Sequence, residues 1–144
     1  MSNNSIVVIG DIIESKKIDN RKSVQNKLAK LLAKLNDDYQ EYIESPFKIT
    51  LGDEFYGVIN NFFPLIDILQ LLKVEFKEID FRFGIGQGEF NDQKQGTAYE
   101  NALKAVKFVK NKNFRDLNQA RNLVVVLNSD VVIAVKGGYG TLSA

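Results

Sequence analysis

The stretch "KITLGDEFYGVI", residues 48–59, places a glycine and two acids between two runs of strand-forming residues. The runs at 47–51 and 55–59 predict a β-hairpin, and Gly52 and Asp53 have the backbone preferences that its turn requires. Turn chemistry alone is therefore a sufficient explanation for both residues, and a functional role needs a second observation.

The start of the chain supplies that second observation. In "IVVIGDIIESKKI", residues 6–18, a run of Val and Ile suits a strand buried on both faces, and Gly10 and Asp11 follow it. Two strands that each end in a carboxylate can form a cation site if the strand ends are neighbours. The sequence leaves two interpretations open: a metal role for Asp11 and Asp53, or acids that only stabilise turns.

The composition limits the chemistry that the chain can perform. Its 144 residues suit one compact domain, and 19 Lys plus Arg against 18 Asp plus Glu give a net charge of +1. The chain has no Cys and no His, which excludes disulfides, zinc sites built from these residues and Ser-His triads. Carboxylates are then the only strong side-chain metal ligands, and they favour hard ions such as Mg²⁺ or Mn²⁺.

The same numbers bear on partners and location. A near-neutral charge argues against a nucleic-acid partner and against an anionic membrane. The first residues, "MSNNS", do not have the pattern of a secretion signal, and no apolar run approaches the roughly 20 residues of a membrane span. We therefore expect a cytoplasmic protein without membrane contact, and a homodimer is left open.

Hydrophobic periodicity predicts the order β-α-β-β-α-β followed by a third helix. Helices are predicted at 24–39, after Pro64 and at 99–110, and a strand is predicted at 79–88 with glycines that indicate close packing on its backbone. This order predicts an α/β (α+β) fold of the ferredoxin-like or palm type, an antiparallel sheet with helices on one face. The first strand and the hairpin are neighbours in that topology, so the carboxylates of Asp11 and Asp53 are expected to lie roughly 4–8 Å apart.

Four segments in order, "VVIGDIIESKKIDNRK", "ITLGDEFYGVI", "FRFGIGQGE" and "QGTAYENALKAV", resemble the SatD family over residues 5–112. They are also similar to the nucleotidyl cyclase-like palm group, whose class III cyclases carry Asp-Ile after the first strand, Gly-Asp in the hairpin and a glycine-rich later strand. The hairpin is similar to the Gly-Gly-Asp-Glu-Phe motif of diguanylate cyclases, with Leu51 in place of the first glycine.

The resemblance implies a nucleotide site that depends on a metal ion. In palm cyclases the two acids and one backbone carbonyl hold divalent ions against a nucleoside triphosphate, which implies metal ligation by Asp11, the Ile12 carbonyl and Asp53. The expected cofactor is Mg²⁺ or Mn²⁺, and the expected ligand is a nucleoside triphosphate or a related nucleotide. The residues that the resemblance places around the nucleotide are Ser15, Lys16, Gly52, Glu54 and Phe55.

The chain also departs from the cyclase patterns. Class III cyclases carry an Asn and an Arg one turn apart on the last helix, whereas Asn101 is followed by Ala105 and the available cation is Lys104. Leu51 adds bulk where diguanylate cyclases have a glycine beside the nucleotide. The catalytic residues are therefore unknown and enzymatic activity is undecided. The alternative function is a non-catalytic regulatory or protein-interaction domain with a degenerate cyclase-like site.

The C-terminal segment carries a different pattern. Residues 121–143 resemble a truncated phosphate loop of the LOG-like (lysine decarboxylase-like) proteins, with a strand at 131–135 and Gly-Gly-x-Gly-Thr at 137–141. No helix follows the loop before Ala144, so we expect a remnant whose strand adds to the sheet. The predicted division is a palm domain at 1–112 and an extension at 113–144, packed on or added to it.

Overall fold

The described part of the chain forms six strands and three α-helices. The computed structural model describes residues 5–12, 21–77, 79, 81–91, 96–111, 123–128 and 131–136. The strands are β1 (Ser5–Ile12), β2 (Ile43–Ile49), β3 (Glu54–Ile59), β4 (Phe81–Gly88), β5 (Leu123–Asn128) and β6 (Val131–Lys136). The helices are α1 (Arg21–Asp38), α2 (Leu65–Glu75) and α3 (Thr97–Asn111), and a 3-10 turn at Gln40–Tyr42 precedes β2.

The six strands form one mixed sheet in the order β2-β3-β1-β4-β5-β6. The first four strands of this order pair with one another in antiparallel orientation, β5 is parallel to β4, and β6 is antiparallel to β5. Strand β1 is paired with β3 on one side and with β4 on the other. The predictions of a mixed α/β fold and of an internal first strand beside the hairpin are confirmed.

Strand β1 is buried on both faces, and its side chains alternate between two hydrophobic clusters. Ile6 and Val8 belong to the cluster that α1 and α2 cover, and we call this side of the sheet the α1–α2 face. The helical residues buried in this cluster are Leu28, Leu31, Leu32, Leu35, Leu65, Ile68 and Leu72. Two helices therefore cover one face of the sheet, as the sequence predicts.

The third helix covers the opposite side of the sheet, which we call the α3 face. Val7 and Ile9 of β1 pack there with Ala98, Ala102 and Val106 of α3. The prediction that the helices lie on one face is therefore wrong for α3. The physical reason is the sequence of β1 itself, because a strand that is apolar on both faces needs a covering layer on each side to remove its side chains from water.

The contact between α3 and β4 depends on two glycines. A Cβ atom added at Gly84 or Gly86 would lie less than 3.0 Å from backbone atoms of Ala102, and at Gly86 also from the carbonyl oxygen of Ala98. Only a residue without a side chain lets the helix backbone approach the strand this closely. The prediction that another element packs closely on the backbone of this strand is confirmed.

Strand β2 begins earlier than the sequence predicts and contains a proline. It starts at Ile43 rather than at residue 47, and Pro46 lies within it. Proline is tolerated because β2 is at the edge of the sheet and its register with β3 shifts on both sides of Ser45. The side chain of Asn36, on α1, forms two hydrogen bonds with the backbone of Phe47, accepting at 2.7 Å and donating at 2.9 Å.

The C-terminal strands extend the same sheet. The predicted strand at 131–135 is confirmed as β6, which pairs with β5. Strand β5, to which the sequence patterns assign no element, lies between β4 and β6. Residues 137–144, which include the glycine-rich segment, lie outside the described residues.

Replacing Gly86 by alanine tests the contact between α3 and β4. Because the added Cβ meets backbone atoms rather than a flexible side chain, we expect Gly86→Ala to lower the free energy of unfolding by about 2–3 kcal/mol, the upper end of the usual cost of overpacking. Urea unfolding followed by circular dichroism measures the loss. The matched control is Gln87→Ala at the next residue of β4. An unchanged midpoint in Gly86→Ala would show that the helix and strand are not in this close contact.

Candidate functional site

Three charged side chains lie side by side where β1 ends. Asp11 is opposite Glu54 of β3 and opposite Arg82 of β4 in the antiparallel ladders. Opposite residues of antiparallel strands point to the same side of a sheet, and Asp11 alternates in phase with Val7 and Ile9. The three side chains therefore lie on the α3 face, with Asp11 between Glu54 and Arg82.

Asp11 and Arg82 form an ion pair. The Nε atom of Arg82 donates to Oδ1 of Asp11 at 3.2 Å, and Asp11 is only 7% exposed. A carboxylate this buried is costly unless an opposite charge and a hydrogen bond compensate it. Arg82 provides both, so the chain itself supplies a cation to the first predicted metal ligand.

The geometry of the hairpin turn is sufficient to explain why residue 52 is a glycine, and a ligand is not needed for this explanation. The amide of Thr50 donates to the Glu54 carbonyl at 2.8 Å, and the Glu54 amide donates to the Leu51 carbonyl at 2.9 Å, so residues 51–53 form the turn between Thr50 and Glu54. Gly52 has a φ of +57°, in the left-handed region that glycine adopts without strain. The turn interpretation of Gly52 is confirmed.

Asp53 is held by a side chain from α1. The Nε2 atom of Gln25 donates to the carbonyl oxygen of Gly52 at 2.9 Å and to Oδ1 of Asp53 at 3.3 Å. The Asp53 backbone is also adjacent to β1, since the Ile12 amide donates to the Asp53 carbonyl at 3.3 Å. The two segments that carry the predicted ligands thus meet through their backbones.

The carboxylates of these two segments have different surroundings. Asp11 lies on the α3 face, whereas the Asp53 carboxylate is bound from the side of α1. On the α3 face it is Glu54, rather than Asp53, that lies beside Asp11. Across the part of the chain that the structure describes, no group of three or more acidic side chains is arranged to hold a metal ion.

Tyr99 of α3 lies near this set of charges. Its ring packs edge-on against Tyr56 at a centroid distance of 6.0 Å. Burial raises the pKa of the Tyr99 phenol above its ordinary value, and the negative charge of Glu54 raises this pKa further. The neutral phenol is therefore the stable form beside Glu54.

Three further residues, Phe55, Ser15 and Lys16, are predicted to contact a nucleotide. Phe55 is fully buried and packs edge-on against Phe81 and Phe83 in the core, and Gly10 leaves room for its ring. The prediction that Phe55 contacts a nucleotide therefore does not agree with its position, because the ring is closed off from solvent. Ser15 and Lys16 lie outside the described residues.

Arg82 is the site residue that the sequence patterns missed. It alternates with Phe81 and Phe83, so a strand assignment alone places it on the face opposite to those rings. Pairing it with Asp11 requires the register between β1 and β4, whose residues are 71 positions apart at this contact.

A separate open depression lies on the surface of α1. Its described lining is polar and basic, and it contains Lys22, Ser23, Asn26, Lys27 and Lys30. Helix α1 packs on the α1–α2 face, so this depression is on the other side of the sheet from Asp11 and Arg82. It does not form part of the strand-end site.

The described residues define a mixed α/β domain with a partly buried acid–arginine pair at the end of β1. The family model described as the SatD family matches residues 5–135, and the chain belongs to this family. The match extends beyond residue 112, through β5 and most of β6. No curated protein matches the chain. None of the described helices has the length and apolar character needed to cross a membrane.

Removing Arg82 tests the contribution of the ion pair to stability. Arg82→Met removes the cation that is paired with Asp11, and we expect the free energy of unfolding to fall by about 2 kcal/mol, less than for a fully buried pair because Arg82 is partly exposed. Urea unfolding at neutral pH measures the change. The double variant Asp11→Asn/Arg82→Met should recover most of the loss, and Lys34→Met, at an exposed lysine of α1, is the control. Equal losses in the single and double variants would contradict this interpretation.

The raised pKa of Tyr99 predicts a dependence of stability on alkaline pH. The folded state favours the neutral phenol, so its contribution is complete below the ordinary pKa of 10.0 and is lost as the pH rises through the raised value. We expect Tyr99→Phe to be less destabilised than the parent chain above pH 10. Urea unfolding at several pH values, with a tyrosinate absorbance titration, measures this. Tyr42→Phe is the control, and identical alkaline profiles for Tyr99→Phe and the parent chain would contradict the prediction.

Proposed function

We propose that the chain is a nucleotide-binding domain of the nucleotidyl cyclase-like palm type. Its first six elements follow the order β1-α1-β2-β3-α2-β4, and the strand order β2-β3-β1-β4 is that of a ferredoxin-like sheet. A fold hosts many functions, so this likeness supports the architecture alone. Support for the ligand comes from the residues at the end of β1.

The proposed ligand is a nucleoside triphosphate or related nucleotide bound with Mg²⁺ or Mn²⁺. The observation that carries the proposal is the backbone hydrogen bond from Ile12 to Asp53, because it brings the two acid-bearing segments into contact. Asp11, Asp53 and the Ile12 carbonyl are the proposed metal ligands, and Glu54 is a further carboxylate beside Asp11. Divalent ions of this kind prefer carboxylate and carbonyl oxygens and keep positions open for phosphate oxygens.

Metal binding at this place requires Asp53 to leave Gln25. The hydrogen bond between the Gln25 amide and the Asp53 carboxylate is 3.3 Å long, and a bond of this type to a charged group contributes about 1.5–3 kcal/mol. The oxygens of Asp11, Asp53 and the Ile12 carbonyl would hold a divalent ion, and its binding would compensate for this loss. Once Asp53 turns away from α1, its carboxylate can face the end of β1. A bound metal–triphosphate would permit nucleotidyl or phosphoryl transfer, for which no catalytic side chain is assigned.

A second candidate is a non-catalytic regulatory or protein-interaction domain. The observation that favours it is the ion pair between Arg82 and Asp11, because it already compensates the charge that a metal ion would neutralise. In this alternative the strand-end acids stabilise the fold, and the domain has no affinity for a metal–nucleotide complex.

Asp53→Asn distinguishes the two candidates. The substitution removes the charge of a turn residue without creating a cavity, so we expect a folded protein with about 10-fold to 100-fold weaker binding of ATP or GTP in the presence of Mg²⁺. Calorimetric titrations with Mg²⁺ and with a chelator measure the metal-dependent part. Asp67→Asn, at an exposed position of α2, is the matched control for the charge. Absence of Mg²⁺-dependent nucleotide binding in the parent chain would favour the second candidate.

A further inference from the structure

Arg82 uses only part of its hydrogen-bonding capacity. Its Nε atom donates to Asp11, and no other hydrogen bond or ion pair of Arg82 occurs within the described ranges of the chain. A guanidinium carries five N–H groups in a fixed planar fork, so four of them, on the two terminal nitrogens, remain. No described side chain has a fully buried nitrogen or oxygen without a partner. The terminal nitrogens of Arg82 are therefore open to solvent.

The guanidinium is also fixed in direction. Asp11 lies on a strand that is paired on both sides, and Arg82 lies on β4, which is paired with β1 and β5. The side chain of Arg82 is 24% exposed, so most of it is enclosed by the protein. A cation that is held before a ligand arrives loses little conformational entropy on binding.

We propose that Arg82 binds a phosphate group and that Asp11 is the positioning residue that orients its guanidinium. The terminal nitrogens of an arginine form two parallel hydrogen bonds with two oxygens of one phosphate, a geometry that a lysine cannot reproduce. Asp11 directs the Nε edge toward the sheet and leaves the opposite edge toward solvent. The Arg82 contact needs no metal ion, and only the assignment of the phosphate to a nucleotide rests on the proposed function.

The nearby acids do not prevent this contact. The charge of Asp11 is compensated by the Arg82 Nε–H group, and Glu54 is separated from Arg82 by the intervening strand β1. A phosphate at the outer edge of Arg82 therefore meets the guanidinium before either carboxylate. In the proposed metal–nucleotide complex, the metal ion would offset the charge of Glu54 and Asp53.

The test uses tripolyphosphate and ATP, each with a chelator and each with Mg²⁺, and measures affinity by calorimetry. We expect the parent chain to bind tripolyphosphate without metal, Arg82→Lys to bind it about tenfold more weakly, and Arg82→Gln to lose measurable binding. Lys34→Gln is the control, since it removes one positive charge from an exposed position of α1. Asp11→Ala removes the oxygen that accepts from Nε, so we expect its metal-free affinity for tripolyphosphate to fall, and Asp11→Asn, which keeps an acceptor oxygen, should bind more tightly than Asp11→Ala.

Loss of binding through unfolding is separated from loss of the contact by the double variant Asp11→Asn/Arg82→Gln. This variant removes the buried Asp11 charge together with the cation paired with it, and we expect it to remain folded by circular dichroism and still fail to bind tripolyphosphate. Failure of the parent chain to bind tripolyphosphate without metal, or binding by Arg82→Gln equal to that of the parent, would overturn the assignment of Arg82.

The failures of the two proposals are distinguishable. If ATP with Mg²⁺ binds to Arg82→Gln as tightly as to the parent chain, the proposed function stands and the Arg82 contact is wrong. If tripolyphosphate binding depends on Arg82 while ATP binds no more tightly than tripolyphosphate and Mg²⁺ has no effect, the Arg82 contact stands and the proposed function fails.

Discussion

The backbone of α3 lies directly against β4 because Gly84 and Gly86 have no side chains. This contact places the helix over Val7 and Ile9 and so closes the second face of β1. Arg82, Gly84 and Gly86 are alternate residues of β4, so all three lie on the same face of this strand. This face of β4 therefore carries the long, charged side chain of Arg82 at one position and no side chain at the next two. Close packing and the polar site are thus consecutive parts of one strand face.

The ion pair between Asp11 and Arg82 also specifies how β1 and β4 align. A slip of one residue in β1 would move Asp11 to the α1–α2 face, among the aromatic rings of Phe81 and Phe83. A carboxylate without a partner in that cluster would be strongly unfavourable. The pair therefore selects one register at the centre of the sheet, in addition to any role in binding a ligand.

The elements themselves were predictable because they depend on local patterns. The Val and Ile run of β1 and the alternating Phe and Ile residues of β4 are strong signals of buried strands, and the turn at Gly52 follows from the preference of glycine for positive φ. The strand-end position of Asp11 and the turn position of Asp53 also follow from these patterns.

What the sequence could not supply were relations between distant segments. The face that α3 covers follows from the handedness of a crossover between parallel strands, and this rule could not be applied because no pattern assigned β5. The surroundings of Asp53 depend on Gln25, 28 residues earlier, since a turn residue has no strand alternation to fix its direction. The pairing of Asp11 with Arg82 depends on the register between β1 and β4. Two helices and the hairpin lie between these strands in the sequence.

The outer strand β2 has a consequence for how molecules of this chain meet one another. Pro46 has no amide hydrogen to donate, the register shifts bend the strand, and Asn36 already occupies both backbone groups of Phe47. An incoming strand would find neither a straight edge nor a regular row of donors and acceptors. This edge of the sheet therefore resists the growth of intermolecular β-structure, and the protein is protected there from fibrillar aggregation.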